Sequence, residues 1–97
     1  MELMELRSKT RSRLQALKVL LSDRYDKRVI NDKDCFLLPN GVLISLGGFP
    51  DFGAIVVEYA ENFEEAKLNR FEDGDLFYLE EMDEETMFRA MLREIEQ

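Results

Sequence analysis

The stretch "CFLLPNGVLISLGGFPDFGAIVVEY", residues 35–59, decides the fold class of this chain. Its three apolar segments, CFLL, VLISL and AIVVEY, have the length and composition of buried β-strands. Two short loops, PNG and GGFPDFG, separate the three segments. Asn40-Gly41 predicts a tight hairpin between the first two strands, because both residues tolerate a positive φ. The stretch therefore predicts an antiparallel sheet.

Alternation along these strands assigns their side chains to the two faces of the sheet. The set expected to face the core comprises Val42, Ile44, Leu46, Ile55, Val57 and Tyr59. Leu43 and Val56 are apolar too, and they belong to the opposite face. Either helices cover both faces or a partner covers one of them, and the sequence leaves these alternatives open.

The segment before the strands predicts a long helix over residues 2–24. Its apolar stripe, spaced by three or four residues, comprises Leu3, Leu6, Thr10, Leu14, Leu17 and Leu21. Cationic side chains lie mostly off this stripe, at Arg7, Lys9, Arg11, Arg13 and Lys18. We expect the apolar C-terminal half of the helix to dock on the core and its basic N-terminal half to project. Residues 23–34 are polar and turn-prone, which predicts a loop.

The segment after residue 60 predicts two more helices and one more strand. Asn62 is suited to cap a short helix, with Glu65 in the position of a capping box. Residues 75–81, DLFYLEE, predict a fourth strand, and the last helix begins after Asp83. Its buried stripe comprises Met87, Phe88, Met91, Leu92 and Ile95. The order α-β-β-β-α-β-α indicates one α+β domain over residues 1–97, with a mainly antiparallel four-stranded sheet and packed helices.

The net charge of −8 is unevenly distributed. Residues 1–33 contain nine Lys or Arg and five Asp or Glu, a net charge of +4, whereas residues 34–97 contain four and sixteen, a net charge of −12. We expect the acidic part to repel nucleic acid and to attract basic proteins, basic ligands or cations. The simpler interpretation is a soluble surface, with the basic helix folded near the acidic segment. A single cysteine, no recognisable signal peptide and no membrane-length apolar run lead us to expect a cytoplasmic protein with no membrane association.

The segment "RFEDGDLFYLEEMDEE", residues 70–85, holds eight of the acidic residues. An EF-hand calcium loop needs a glycine at its sixth position, where a loop counted from Asp73 has Tyr78. Asp73-Gly74 is better interpreted as the turn that starts the fourth strand. Asp83 predicts an N-cap, with Met82 and Met87 as a hydrophobic staple. A cap needs one or two acids, so the surplus predicts an acidic protein-binding surface at Glu80, Glu81, Glu84 and Glu85.

Two aromatic residues, Phe49 and Phe52, flank Pro50-Asp51 in the loop between two strands. The simpler interpretation is that both rings fold back over the end of the sheet. The alternative is an exposed aromatic anchor, since aromatic residues are enriched at binding hot spots. We therefore include Phe49, Asp51 and Phe52 among the candidate protein-binding residues.

Most known catalytic arrangements are excluded by composition. The chain has no histidine and only one cysteine, Cys35. This composition excludes catalysis by a Ser-His-Asp triad or a Cys-His pair, and it excludes zinc sites that contain histidine or several cysteines. Cys35 precedes an apolar run and is expected to be buried and inert. The sequence therefore predicts no catalytic residue, no cofactor and no metal site.

The leading hypothesis is a small acidic, non-enzymatic domain that binds a basic protein. Bacterial immunity proteins and antitoxins that inhibit nucleases have this physical profile, although the analogy is one of type and no family motif supports it. A mimic of nucleic acid has the same profile. The alternatives are a nucleic-acid-associated regulator that uses the basic N-terminal helix and, least favoured, a small enzyme with carboxylates alone. The sequence leaves the oligomeric state open, including a homodimer.

Overall fold

The structure, a computed structural model, describes residues 2–97; Met1, included in the predicted domain, lies outside the described residues. Three helices and five strands follow one another along the chain. Their bounds are α1 Leu3–Ser22, β1 Asp26–Ile30, β2 Lys33–Leu37, β3 Leu43–Phe49, β4 Ala54–Ala60, α2 Phe63–Lys67, β5 Glu72–Tyr78 and α3 Glu84–Ile95. No helix within the described part of the chain is long and apolar enough to cross a membrane.

The strands form one antiparallel sheet in the order β1-β2-β3-β4-β5, so each strand pairs with its neighbour in sequence. The predicted α+β class and the antiparallel sheet are confirmed. The prediction of four strands is wrong, because residues 26–30 form a strand and not a loop.

β1 was missed because its side chains carry little hydrophobic signal. Four of its five residues are exposed, and only Ile30 is buried. The two residues after β1 give a clearer indication of a hairpin. Asn31 and Asp32 have φ values of 51° and 63°, and these two residues alone connect β1 to β2. Two consecutive residues that tolerate the left-handed conformation are typical of a two-residue hairpin.

The predicted hairpin at Asn40-Gly41 is confirmed, with a three-residue loop. The Leu38 N–H donates to the Val42 carbonyl across 2.9 Å, which closes the loop. Of Asn40 and Gly41, only Gly41 takes a positive φ, at 91°. The Asn40 side-chain oxygen instead accepts from the Val42 N–H across 3.1 Å. Gly41 is thus the residue that makes the reversal of the chain sterically easy.

The main core lies between one face of the sheet, called here the first face, and helices α1 and α3. The sheet contributes the buried side chains of Phe36, Ile44, Leu46, Ile55, Val57 and Phe77. The helices contribute Leu17, Leu21, Met87, Met91 and Ile95. Alternation therefore assigned the core strands correctly, although Val42 and Tyr59 are only partly buried. At the other end of α1 only the first turn projects, with Leu3 and Met4 exposed, whereas Thr10 is buried and Leu6 packs against Gly53. The expectation that the whole basic N-terminal half projects is therefore wrong.

The opposite face of the sheet, called here the second face, is covered only in part. A small cluster beneath α2 contains the buried side chains of Ile30, Cys35, Leu43, Ala60 and Ala66. α2 begins where predicted, since the Asn62 side chain accepts from the Glu65 N–H across 2.9 Å. The helix is five residues long, which is too short to reach the far end of the sheet. The second face near the β3–β4 loop is therefore left without a covering helix.

β5 begins and ends earlier than predicted, at Glu72 and Tyr78 instead of residues 75 and 81. Asp73 and Gly74 lie within this strand, so their interpretation as a turn is wrong. An irregularity in the β4–β5 register leaves Gly74 and Asp75 opposite the single residue Val57. A β-bulge of this kind carries polar residues into a strand, which explains why the acidic segment resembles a turn in sequence.

Candidate functional site

The uncovered part of the second face carries a group of exposed apolar side chains. We call it the aromatic patch; its residues are the exposed Phe49, Phe52, Leu76 and Tyr78 together with the buried Ala54. Together with Glu80 they line a shallow hollow of about 390 Å³. Phe49 is 39% exposed, Leu76 46% and Tyr78 36%. Exposed large apolar side chains are ordinary when scattered, but a contiguous group marks a binding surface more often.

The register of the sheet explains why these residues meet. Phe49 of β3 pairs with Ala54 of β4, which in turn pairs with Tyr78 of β5. One cross-strand row therefore places a small buried residue between two large aromatic ones. Ala54 forms the floor of the hollow and the two rings form its sides. Leu76, two residues before Tyr78, extends the patch along the same face of β5.

Phe52 is the most exposed ring of the patch, at 74%. It lies in a tight turn in which its N–H donates to the Phe49 carbonyl across 3.0 Å. The next residue, Gly53, has a φ of 62° and lies so close to α1 that an added Cβ would come within 2.7 Å of Leu6. The inner side of the turn is thus occupied by α1, and the ring stays outside. The interpretation that both rings fold back over the sheet is wrong.

Asp51, also a predicted site residue, is engaged within the molecule. Its carboxylate accepts from the Arg7 Nε across 2.6 Å. This hydrogen bond lowers the pKa of Asp51 and raises the pKa of Arg7. Asp51 therefore links the β3–β4 loop to α1, and its charge is balanced by Arg7 within the molecule.

The four predicted acids do not form one cluster. Only Glu80 lines the aromatic patch. Glu81 belongs to the turn after β5, where its N–H donates to the Tyr78 carbonyl across 3.1 Å. Glu84 lines a separate cleft against α1, and Glu85 accepts from the Arg89 guanidinium across 3.0 Å. Glu84 and Glu85 also lie in the first turn of α3, where the helix dipole favours negative charge.

The predicted protein-binding residues do not include three residues of this surface. Leu76 and Tyr78 belong to the aromatic patch, and Asp73 lies beyond them on the same face, opposite Glu58 of β4. A signal for the first two was present, because they are apolar and alternate with the apolar Phe77 and Leu79. A strand that is apolar on both faces but lies at a sheet edge is a sign of an uncovered surface.

The basic residues of α1 mainly attach the helix to the rest of the fold. Besides the Arg7–Asp51 pair, Arg13 donates to the Met82 carbonyl across 3.0 Å. Lys18 lies 3.6 Å from the Asp34 carboxylate. A cation committed to such contacts is less available to a nucleic acid phosphate.

Two titratable groups, the partly buried Tyr59 and the fully buried Cys35, have local structural roles. The Tyr59 hydroxyl donates to Glu94, whose other oxygen accepts from the Asp75 N–H across 2.7 Å. Desolvation, reinforced by Glu94, raises the pKa of Tyr59. Cys35 is fully buried, and desolvation raises the pKa of its thiol, which disfavours the reactive thiolate. Within residues 2–97 no group of three or more His, Cys, Asp or Glu side chains is arranged to hold a metal ion.

Comparisons of this chain with known proteins, by family model, by sequence and by three-dimensional structure, found no match.

Proposed function

We propose that this chain is a small, acidic, non-enzymatic protein-binding domain that docks a basic protein on its aromatic patch. The observation that carries the proposal is an exposed aromatic hollow on an uncovered sheet face, with acidic side chains at its ends. A cytoplasmic inhibitor of a basic, nuclease-like protein, of the immunity or antitoxin type, is the kind of protein that fits this profile. In that compartment the lone Cys35 thiol would stay reduced.

The aromatic patch supports the anchoring part of the proposal. Rings and leucine side chains supply large apolar area with few rotatable bonds, and interface hot spots are enriched in aromatic residues. The hollow over Ala54 offers a partner side chain a place to insert between Phe49 and Tyr78. Nothing in the fold requires Phe52 to be apolar, because the ring is largely outside the turn that carries it.

The charge around the patch supports the basic character of the partner. Residues 72–85 contain eight acidic residues and no Lys or Arg. Glu80 lies at one end of the patch, and Asp73 lies beyond Leu76 toward the other end. An apolar centre with a charged, solvated margin is the usual anatomy of a protein interface. Complementary charge would speed the encounter with a basic partner.

Site-specific photocrosslinking in the native cell tests the proposal. A photoreactive phenylalanine analogue is placed at Phe52, and crosslinked proteins are identified by mass spectrometry. Phe63 is the matched control, because it is also an exposed ring but belongs to α2 and has the Lys67 ammonium 5.0 Å from its centre. We expect position 52 to capture one basic protein that position 63 does not capture.

Two results would contradict the proposal. One is capture of the same proteins at positions 52 and 63, which would indicate nonspecific contact. The other is capture at position 52 of acidic proteins or of RNA. A purified partner gives the second measurement: Phe52→Ala should speed dissociation, because an anchor acts on the lifetime of a complex.

A further inference from the structure

β5 forms one edge of the sheet, since it pairs with β4 on one side only. A free edge presents backbone N–H and C=O groups to which another chain can add a strand. Six of the seven residues of β5 are exposed or partly exposed, and only Phe77 is buried. This edge borders the aromatic patch directly, because Leu76 and Tyr78 belong to both.

The register shows which backbone groups of β5 point outward. The Leu79 N–H donates to the Gly53 carbonyl across 2.9 Å, so residue 79 points toward β4. Hydrogen-bonded and non-hydrogen-bonded pairs alternate along an antiparallel ladder. Phe77 therefore pairs by hydrogen bonds with β4, whereas the backbone groups of Leu76 and Tyr78 point away from it. The Tyr78 carbonyl accepts from the Glu81 N–H, and within residues 2–97 no turn or loop hydrogen bond involves the outward-facing Leu76 N–H, Leu76 carbonyl or Tyr78 N–H.

The charges of β5 disfavour pairing of its free edge with the β5 edge of a second molecule. All three of its charged residues are acidic, at Glu72, Asp73 and Asp75, so two β5 edges placed side by side would repel. The bulge at Gly74 and Asp75 further limits regular pairing to the part of the strand after it. The acids that oppose self-pairing attract a strand that carries cations.

We infer that the outer edge of β5, at Leu76 and Tyr78, accepts an extended basic segment of the partner as an added antiparallel strand. Two hydrogen-bonded residues of that segment would lie opposite Leu76 and Tyr78, with apolar side chains on the aromatic patch. The single residue between them, opposite Phe77, would carry Lys or Arg toward the first face, where Glu72 lies farther along β5. The inference rests on the proposed function, and it specifies the form in which the partner binds.

A synthetic peptide of alternating lysine and valine, acetylated and amidated at its ends, serves as the probe. It is titrated into the isotope-labelled protein and followed by NMR. We expect the Leu76 and Tyr78 amides to shift and their hydrogen exchange to slow on binding. A peptide in which glutamate replaces lysine is the charge control, and we expect it not to bind.

Two N-methylated forms of the lysine–valine peptide separate strand addition from side-chain docking. In an antiparallel addition the valine N–H groups face β5 and the lysine N–H groups face solvent. Methylation of the valine amides should therefore weaken binding about tenfold, the expected effect of one or two lost hydrogen bonds, while methylation of the lysine amides should not. The protein is unchanged throughout, so differences in folding cannot explain the result.

Several results would overturn the inference. Equal weakening by both methylated peptides, or no weakening by either, would mean that the backbone of the peptide does not pair with β5. Sedimentation that shows the protein alone as an oligomer, dissociated by the peptide, would mean that a second copy occupies the edge. If the peptide fails to bind while position 52 still crosslinks a basic partner, the edge inference falls and the proposed function stands. If the peptide fails to bind and position 52 crosslinks no basic partner, both the edge inference and the proposed function are wrong.

Discussion

The Arg7 guanidinium of α1 donates to the Asp51 carboxylate across 2.6 Å, which joins the first helix to the loop that carries Phe52. The two residues are 44 positions apart in sequence, and both side chains are partly exposed. The ion pair acts together with the packing of Gly53 on Leu6, so two contacts hold the turn against α1. The exposed ring of Phe52 is thus displayed from an anchored loop, which would reduce the entropy lost on binding the proposed partner.

Removing this ion pair should loosen the loop without unfolding the protein. We expect Asp51→Asn to speed hydrogen exchange at the amides of Phe52 and Gly53 and to change global stability little, since an exposed pair contributes little. Arg7→Gln should have the same effect, and the double variant should add nothing further. Exchange rates measured by NMR check this. Unchanged exchange at both amides would mean that the Gly53–Leu6 packing holds the loop alone.

The burial of the rings predicts that two phenylalanine residues contribute very differently to the free energy of unfolding. Phe36 is fully buried in the core, whereas Phe52 is mostly exposed. We expect Phe36→Ala to lower the free energy of unfolding by about 3–5 kcal/mol. Phe52→Ala should change it by less than about 0.5 kcal/mol, as is usual at the surface. Urea melts of both variants measure the difference, and a large loss of stability in Phe52→Ala would show that the ring has a structural role.

The helix cap at Asp83 gives a pH-dependent prediction. Its carboxylate accepts from the Thr86 N–H across 2.8 Å, as the sequence predicted, and this bond holds its pKa below the ordinary 3.8. The unfolded chain therefore takes up the proton first as the pH falls. The stabilisation is complete above the unfolded value and is lost as the pH drops through the folded one.

Asparagine at position 83 can cap the helix but cannot titrate, so it is the matched control. We expect the stability of the wild-type protein relative to Asp83→Asn to fall between about pH 5 and about pH 2. Denaturant melts across this range measure the difference. A difference that is constant with pH would mean that the charge of Asp83 does not contribute to the cap.

Cys35 should react with a thiol reagent only when the protein opens. It is fully buried at the base of α2, and burial raises the pKa of its thiol. For a domain with an unfolding free energy of about 5 kcal/mol, modification should be at least roughly a thousandfold slower in the native protein than in urea. Ellman's reagent measures both rates. Fast native modification would mean that α2 opens locally.

The parts of the fold that the sequence predicted well are those with periodic burial or a specific turn chemistry. Asp83 and Asn62 cap their helices as expected, and Gly41 closes its hairpin. The sequence did not predict β1, because the exposed and charged side chains of this strand are typical of a loop. The sequence did not predict the bounds of β5 because its bulge at Gly74 and Asp75 lies against Glu94 of α3, which is far away in sequence and accepts from the Asp75 N–H.

The candidate site was only half predictable for a related reason. Phe49 and Phe52 were noticed in the sequence, but their exposure depends on where α1 lies behind the loop. Leu76 and Tyr78 resemble core residues until the register places them on the face that α2 does not reach. Glu84 and Glu85 are close to Glu80 in sequence, yet the turn after β5 sends α3 to the other face. Neighbours in sequence were separated by the fold, and distant residues were brought together.

The last prediction uses this separation of the acids to test the electrostatic part of the proposed function. Asp73→Asn with Glu80→Gln removes two charges at the aromatic patch, whereas Glu84→Gln with Glu85→Gln removes two charges on α3. With the partner captured at position 52, the first pair should slow association severalfold and reduce its salt dependence, because local charge steers the encounter. The second pair should have a clearly smaller effect. Surface plasmon resonance at two salt concentrations gives both rates. Equal slowing by the two pairs of substitutions would mean that only the net charge of the protein affects association. If neither pair slows association, the acidic residues serve only solubility and helix capping.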